Sequence, residues 1–420
     1  MRVLYFAPQP ICPVNTGARL RNYQLATRLA ARSSVTFVGM CFTDEEPGTS
    51  FDDSRFASTM TLNKERGYAP SKILRGLIGP TPMTVLNYWS ERSASELKVL
   101  LRSCQFDTVQ VEGVQLMAYL PVIQEALGHP SIILDWHNIE SELMLRYAQT
   151  SGNWLKRIAA KRSATLIERA ENRVLDICRT HLVASERERQ KLLARSPDAN
   201  IHIVPNGVDN AYYYPKEVDT NFQRTEHGNS RETILFVGSM DYHANIDAVT
   251  WFVRTAWPEI ARRHPHLHFT IVGRDPTPEV RALVSDRIHV TGTVDDVRPF
   301  YASAVAVIVP LRLGSGTRLK ILETMAAEVA VVSTSLGAEG IDVQHDVHLL
   351  LADSAQEIAA AVGRVVSSTE TRTRLSTAAR FLAEKYDWSI VSERLYRIHC
   401  DLAQQRKKAC PGEASSREQY

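Results

Sequence analysis

Nothing in the 420 residues approaches 18 consecutive apolar positions, so no segment reads as a membrane-spanning helix. The apolar start Val3–Phe6 is too short for the core of a secretory signal and runs into Pro8, Pro10 and Pro13. Cysteine is sparse: Cys12, Cys41, Cys104, Cys178, Cys400 and Cys410 lie far apart without a CxxC pair. That spacing argues against a structural zinc site or a disulfide framework and suits a reducing, cytoplasmic compartment. Charge of one sign is also lacking, since 49 Lys and Arg meet 47 Asp and Glu for a net +2, too balanced for a dedicated nucleic-acid binder. What remains is ordinary globular material, 44% hydrophobic and 23% charged. A chain of 420 residues suggests about two to three domains.

Short Val- and Ile-rich runs alternate with helical patterns along the whole chain. The first half predicts strands at Val3–Phe6, Val35–Gly39, Thr108–Val111, Ile132–Trp136, His181–Ala184 and His202–Val204. The second half predicts them at Ile234–Val237, Phe269–Val272, Ile288–Val290, Val305–Val309, Ala330–Val332 and Val347–Leu351. Helices are expected at Arg21–Ala31, Ile246–Arg263 and Leu319–Ala327, among others. Apolar strands with little alternation, spaced by helices, indicate parallel sheets covered on both faces. Twelve strands exceed the ~10 that an open twisted sheet usually holds, so two sheets of about six are expected. The polar stretch Tyr214–Ser230 lacks apolar periodicity and reads as the linker between them. The expected division is residues 1–215 and 216–385, then a helix over 386–403 packing back toward the first domain, then a disordered tail over 404–420. Ligands of such sheets bind outside the carboxyl ends of the strands.

One of those loops stands out. Pro310-Leu311-Arg312-Leu313-Gly314-Ser315-Gly316-Thr317-Arg318-Leu319-Lys320 leaves a buried strand, turns on glycines and enters a helix expected to start at Thr317. Free N–H groups at a helix start, with the positive end of its dipole, hold anions, and glycine lets a ligand approach the backbone. Thr317, Lys320 and Glu323 then fall three residues apart on one helical face, with Arg318 beside them. Cations suit phosphate and a carboxylate suits ribose hydroxyls, so the series fits a nucleoside diphosphate. The same pattern also describes a plain glycine turn before a solvated amphipathic helix.

The wider sequence resembles the retaining glycosyltransferases of family 4. Phe236-Val237-Gly238, Ile271-Val272-Gly273-Arg274, Ile288-His289-Val290-Thr291-Gly292, Val309-Pro310 and Leu319–Ala326 occur in that family's order and spacing. The first half agrees: Thr16-Gly17-Ala18-Arg19 follows the first strand, Asp135-Trp136-His137-Asn138 ends a middle one, and Val204-Pro205-Asn206-Gly207-Val208-Asp209 closes the domain. The resemblance implies the α/β GT-B fold, two Rossmann-like doubly wound domains with the active site in the cleft between them. It implies that Gly17 gives backbone N–H groups to the sugar or phosphate, and that His137 stabilises charge at the anomeric carbon. It further implies that Glu323 binds ribose and that Gly292 and Val294 flank the base. Arg19 and Glu112 are expected on the acceptor side, and Gly238, Gly314, Ser315, Gly316 and Thr317 around the donor. A strand-end histidine is also compatible with a packed, hydrogen-bonded role.

The chain departs from the family twice. Ser315 stands where the first glutamate of the E-x7-E motif belongs, so donor-sugar recognition does not carry over. After Gly238, where many relatives have an Arg and a Lys for the diphosphate, the sequence reads Ser239-Met240-Asp241-Tyr242-His243-Ala244-Asn245. Arg318 and Lys320 are therefore expected to supply the countercharge that a buried diphosphate needs, acting as catalytic groups beside His137. No carboxylate nucleophile is evident, in line with same-face attack, and the leaving phosphate is available to take the acceptor's proton.

The expected activity is metal-independent transfer of a sugar, of hexosyl type, from a nucleoside-diphosphate sugar to a saccharide or lipid-linked hydroxyl, as in polysaccharide, lipopolysaccharide or glycolipid assembly. No cofactor and no nucleic-acid partner are expected. A nucleotide-sugar epimerase on this scaffold, or a degenerate nucleotide-sugar binder, are the alternatives. Glu140 and Glu142 complement a helix start, and Glu339 sits in another strand-end loop. Thr150–Arg195 carries 11 Lys or Arg against five Asp or Glu, and Lys72–Ile78 sets Ile73, Leu74, Leu77 and Ile78 beside two cations. Such segments fit either peripheral contact with the inner face of a membrane or a solvated helix surface.

Overall fold

The computed structural model describes residues 1–14, 16–42, 54–64, 72, 76, 78–128, 130–150, 153–214, 232–314 and 316–409. Ser315, the linker over 215–230, most of Lys72–Ile78 and the tail from 410 lie outside the described residues. The chain divides into two compact units, Met1–Pro205 with the chain from Trp388, and Asn206–Asp387. This division falls ahead of the 215/216 boundary expected from the sequence, because the chain after Pro205 is already tied into unit 2. Val208 N donates to Tyr386 O at 2.8 Å, and Asn210 Nδ2 donates to Asp387 Oδ2 at 3.0 Å.

Unit 1 is built on β1 (Arg2–Ala7), β2 (Ser34–Phe42), β3 (Ser58–Lys64), β4 (Thr108–Glu112), β5 (Ser131–Asp135), β6 (Thr180–Val183) and β7 (Asn200–Ile203). They form one parallel sheet in the order β3-β2-β1-β4-β5-β6-β7. Alternation along β1 explains its two buried faces. Leu4 and Phe6 join one apolar cluster with Val109 and Val111, while Val3, Tyr5 and Ala7 join another with Val35 and Phe37. The order reverses between β1 and β4, so the loops after these strands flank the crevice where such sheets receive ligands.

Unit 2 repeats the plan with β8 (Thr233–Val237), β9 (His268–Val272), β10 (Ile288–Gly292), β11 (Ala304–Val309), β12 (Val331–Ser333) and β13 (Leu350–Leu351). Its parallel sheet runs β10-β9-β8-β11-β12-β13, reversing between β8 and β11. The strand β11, Ala304-Val305-Ala306-Val307-Ile308-Val309, is buried at every position, as a central parallel strand covered on both faces must be.

Five helices matter below: α1 (Gly17–Ala30), α2 (Trp154–Ile177), α3 (His243–Thr255), α4 (Leu319–Ala326) and α5 (Trp388–Ala409). Thr16 caps α1 by accepting from Arg19 N at 3.3 Å, and Asn153 caps α2 by accepting from Leu155 N at 2.9 Å. The helix expected over Ile246–Arg263 is two, α3 and Trp257–Arg263, because Pro258 cannot continue the hydrogen-bond ladder of α3. The last helix runs to Ala409, so the segment 404–409, expected to be disordered, is helical. Among the described residues no helix is long and apolar enough to cross a membrane.

Candidate active site

In unit 1 the carboxyl ends of β4 and β5 bring two carboxylates side by side. Glu112 and Asp135 are partners in the strand register, and both are 0% exposed. Two buried anions require compensation. Arg21, on the first turns of α1 and itself 2% exposed, answers Asp135 through Nη2 at 2.7 Å and Nε at 3.3 Å. Its remaining donors reach Val204 O at 2.7 Å and Pro205 O at 2.9 Å, clamping α1 onto the end of the sheet. The second partner is His137. Its backbone takes φ 50, and its N–H donates to Asp135 Oδ1 at 3.1 Å. This turn places the ring Nε2 2.6 Å from Glu112 Oε2, an ion-pair approach not aligned as a hydrogen bond. Burial alone would lower the imidazole pKa, but the Glu112 carboxylate, aided by Asp135, outweighs it and raises it.

Behind Glu112 runs a line of buried side chains. Thr108, Gln110 and Glu112 alternate onto one face of β4. Gln110 Nε2 donates to Glu112 Oε1 at 2.6 Å, and Gln110 Oε1 lies 2.7 Å from Nε2 of His399 on α5. Nδ1 of His399 lies 2.7 Å from Thr108 Oγ1. Since the Gln110 amide gives its N–H to the carboxylate, its oxygen must accept, which fixes His399 as the neutral Nε2–H tautomer. Burial, pushing His399 down to about 3, agrees with that neutral ring.

In unit 2 the loops after β8 and β11 converge. A Cβ on Gly238 would stand 2.7 Å from Lys320 Nζ and 2.8 Å from Asn245 Nδ2, so a side chain here would push the ends of both groups aside. Lys320 Nζ donates to Asn245 Oδ1 at 2.8 Å and lies 4.0 Å above the Phe236 ring, while Asn245 Nδ2 donates to Ser239 O at 2.9 Å. Gly314 has φ 103, a left-handed conformation, and the Arg318 guanidinium packs on it so closely that a Cβ would meet Nη2 at 2.9 Å. The pKa of Lys320 is lowered to about 7 by burial and by the Arg318 charge, with Glu323 pulling the other way. Glu323 accepts from Tyr301 Oη at 3.3 Å and also from Tyr213; burial nevertheless raises its carboxyl pKa.

The structure gathers Gly238, Gly314, Gly316, Thr317, Arg318, Lys320 and Glu323 onto neighbouring strand-end loops and α4 of unit 2, but the entry to α4 differs from expectation. The helix starts at Leu319, with Arg318 extended at its N-cap and Gly316 at φ 79, so Thr317 precedes the helix. Lys320 and Glu323 share a helical face; Thr317 does not belong to it. Thr317 Oγ1 is buried without a hydrogen-bond partner among the described residues. Gly292, at φ 75, ends β10 beside open space, and Val294 packs partly onto the unit 2 core. In unit 1, Gly17 opens α1, and Arg19 is half-buried, donating to Gln9 Oε1 at 3.0 Å and Pro13 O at 3.2 Å. Glu112, expected to face an acceptor, is turned inward instead: as the last residue of a central strand its side chain ends on His137 and Gln110. The sequence reading missed Arg21, Gln110, His399, Tyr213 and Tyr301. Of these only Arg21 had a signal, a basic residue in the first turns of a helix that follows a strand.

Glu112, Asp135 and His137 also bring three ligand-type atoms within 4.8 Å of one another. Of the three, Asp135 is already paired with Arg21 at 2.7 Å.

Two doubly wound parallel units, each with its polar groups at the sheet's switch point, define the GT-B class of glycosyltransferase fold. Sucrose-phosphate synthase from Thermosynechococcus elongatus matches 96% of the chain and 99% of its own at TM-score 0.72 and 16% identity. Anabaena HepE, solved in complex with UDP, matches 96% and 100% at TM-score 0.67 and 15% identity. Residues 16–212 match the Glycosyltransferase Family 4 model, and residues 231–368 match that of Glycosyl transferases group 1. The chain belongs to this family of glycosyltransferases. Among curated relatives, phosphatidyl-myo-inositol mannosyltransferase from Mycolicibacterium smegmatis is 29% identical over 203 residues, 47% of this chain and 50% of the relative. An uncharacterized 44.6 kDa protein in the cps region of Klebsiella pneumoniae is 24% identical over 174 residues, 39% of this chain and 45% of that protein. The chain thus spans about half the length of the curated relatives it matches.

Proposed function

We propose that the protein transfers a sugar, of hexosyl type, from a nucleoside-diphosphate sugar to a hydroxyl acceptor with retention at the anomeric carbon. The observation that carries this reading is the pair Lys320 and Arg318, each with its charged end packed against the backbone of a strand-end glycine. A cation whose pKa is lowered to about 7 beside a second cation is a site short of negative charge, and a diphosphate supplies it. Asn245 holds the Lys320 ammonium over the Gly238 backbone, and Glu323, held by two tyrosines, takes ribose hydroxyls. Gly292 and Val294 border the base. Arg318 and Lys320 stabilise the charge that develops on the departing diphosphate, and one such preorganised contact contributes ~3 kcal/mol to lowering a barrier. With countercharge from side chains the reaction requires no metal. In unit 1, Gly17 presents N–H groups and His137 its imidazole to the sugar, Arg19 lies on the acceptor side, and Glu112 acts only through His137. The acceptor in this reading is a saccharide or lipid-linked hydroxyl met at the inner face of a membrane, and the name of the Mycolicibacterium smegmatis relative, a phosphatidyl-myo-inositol mannosyltransferase, favours the lipid-linked kind.

A thermal-shift panel of nucleoside diphosphates tests the donor reading. A ligand at about 100 times its Kd adds ~2.7 kcal/mol of stability, enough to register. At least one diphosphate is expected to shift the parent, and the matching sugar nucleotide to be consumed with retained anomeric configuration. Binding undiminished in Arg318→Ala and Lys320→Ala would overturn the assignment.

A further inference from the structure

The outer face of α2 carries a feature that sugar transfer itself does not use. Ala160, Ala164, Ile167, Ala170, Glu171 and Val174 form the middle of its buried face, with Leu166 and Leu175 buried at the margins. At about 100° per residue, Trp154, Leu155 and Ile158 project from the opposite side, and they are 61%, 58% and 58% exposed. Single exposed apolar residues are commonplace, but three in the first turns, all pointing away from the core, make a patch. The same outward face continues with four exposed cations, Lys161, Arg162, Arg169 and Arg173, against two exposed acids, Glu168 and Asp176, a local excess of positive charge. None of the four cations is in an ion pair among the described residues. Arg162 donates to Gly79 O at 3.1 Å, which brings Ile78, 74% exposed, beside the helix.

We infer that this face of α2 is a docking surface for an anionic lipid bilayer, with Trp154, Leu155 and Ile158 entering the interfacial region and Lys161, Arg162, Arg169 and Arg173 resting on the head groups. Charge decides the occupant. A second copy of the chain would set one net-positive face against another, whereas an anionic membrane complements it and receives the apolar end. A tryptophan at the end of a short apolar patch suits the boundary between head groups and acyl chains. The inference deepens the proposed function by placing the enzyme where a lipid-linked acceptor resides, and it fails separately from the donor reading.

Flotation with phosphatidylcholine vesicles, with and without phosphatidylglycerol, provides the test. The parent is expected to float with the anionic vesicles, progressively less as salt rises, and not with phosphatidylcholine alone. Trp154→Ser, Leu155→Ser and Ile158→Ser together should weaken flotation at least about tenfold. Lys161→Glu with Arg169→Glu should abolish its dependence on phosphatidylglycerol. Both variants should keep the parent's thermal shift with nucleoside diphosphate, which shows that they fold and isolates the membrane effect. Parent protein that ignores anionic vesicles at low salt, or a triple variant that floats like the parent, overturns the inference. So does self-association of the parent that the triple substitution abolishes, since the face would then be a contact between copies.

Discussion

At Lys320, burial and the neighbouring guanidinium set the pKa at about 7, far below the ordinary lysine value. A bound diphosphate removes the deficit of negative charge, so binding near neutral pH should draw a proton onto the protein. Calorimetry in buffers of different ionisation enthalpy should register that uptake in the parent and lose it in Lys320→Met. The same pKa fixes a stability trend. Between about pH 7 and the ordinary lysine value near 10.4, the unfolded chain binds more protons at this residue than the folded one, so stability rises with pH across that window. Lys320→Met should flatten the rise in denaturant unfolding measured at the two ends of it. His137 has the opposite sign. Its raised pKa means a contribution fully present below the ordinary histidine value and lost as pH climbs through the folded one. Glu112→Gln should lower the His137 titration midpoint seen by NMR. It should also cost about 3 kcal/mol at mildly acidic pH, because it leaves a buried charge without its partner.

Among the elements, the strands were the most legible part of the chain because parallel strands covered on both faces are largely apolar, and all twelve expected runs overlap strands, although only Leu350–Leu351 of Val347–Leu351 is one. The missed one, β3, lies at the sheet edge with only Leu62 and Lys64 buried, and Ser58-Thr59-Met60-Thr61-Leu62-Asn63-Lys64 carries no such run. Helix starts were harder to read, since Gly316 and an extended Arg318 delay α4 by backbone conformation that composition does not reveal. One close approach was invisible in sequence: a Cβ on Gly273 would fall 1.7 Å from Gly238 O, so the loops after β8 and β9 touch backbone to backbone. Gly273→Ala should therefore destabilise the protein by about 3 kcal/mol and, by displacing Gly238, weaken nucleoside-diphosphate binding as well. Ser354→Ala offers the contrast. It removes one half of a capping box on the helix Ala355–Ser367 and should cost ~1 kcal/mol with nucleotide binding intact. Urea midpoints beside ligand titrations separate the two behaviours.

For the molecule as a whole, unit 1 cannot be completed by its own first 205 residues, because its polar interior is finished by α5 from the other end of the chain. Trp388 is 1% exposed, and Val391, Leu395 and His399 are 0% exposed. His399 is the far end of the line through Gln110 to Glu112 and His137, and nothing in a histidine between Ile398 and Cys400 of an amphipathic helix announces that link. The candidate site was thus legible where one contiguous loop held it, from Gly314 to Glu323, and illegible where residues distant in sequence meet on a strand face. Two kinds of change to α5 separate its packing from its polar link. A chain ending at Asp387 loses the whole apolar face and should fail to fold in unit 1, while one ending at Ala409 keeps every contact described for α5. His399→Leu keeps the apolar face but strands Thr108 Oγ1 and Gln110 Oε1 in a dry interior, at about 1–3 kcal/mol for each orphaned group. If the line of hydrogen bonds also orients Glu112, the variant should broaden and lower the His137 titration beyond what lost stability explains, and His399→Gln, which restores a donor toward Gln110, should recover it. A titration of His137 identical in the parent and His399→Leu would confine His399 to packing.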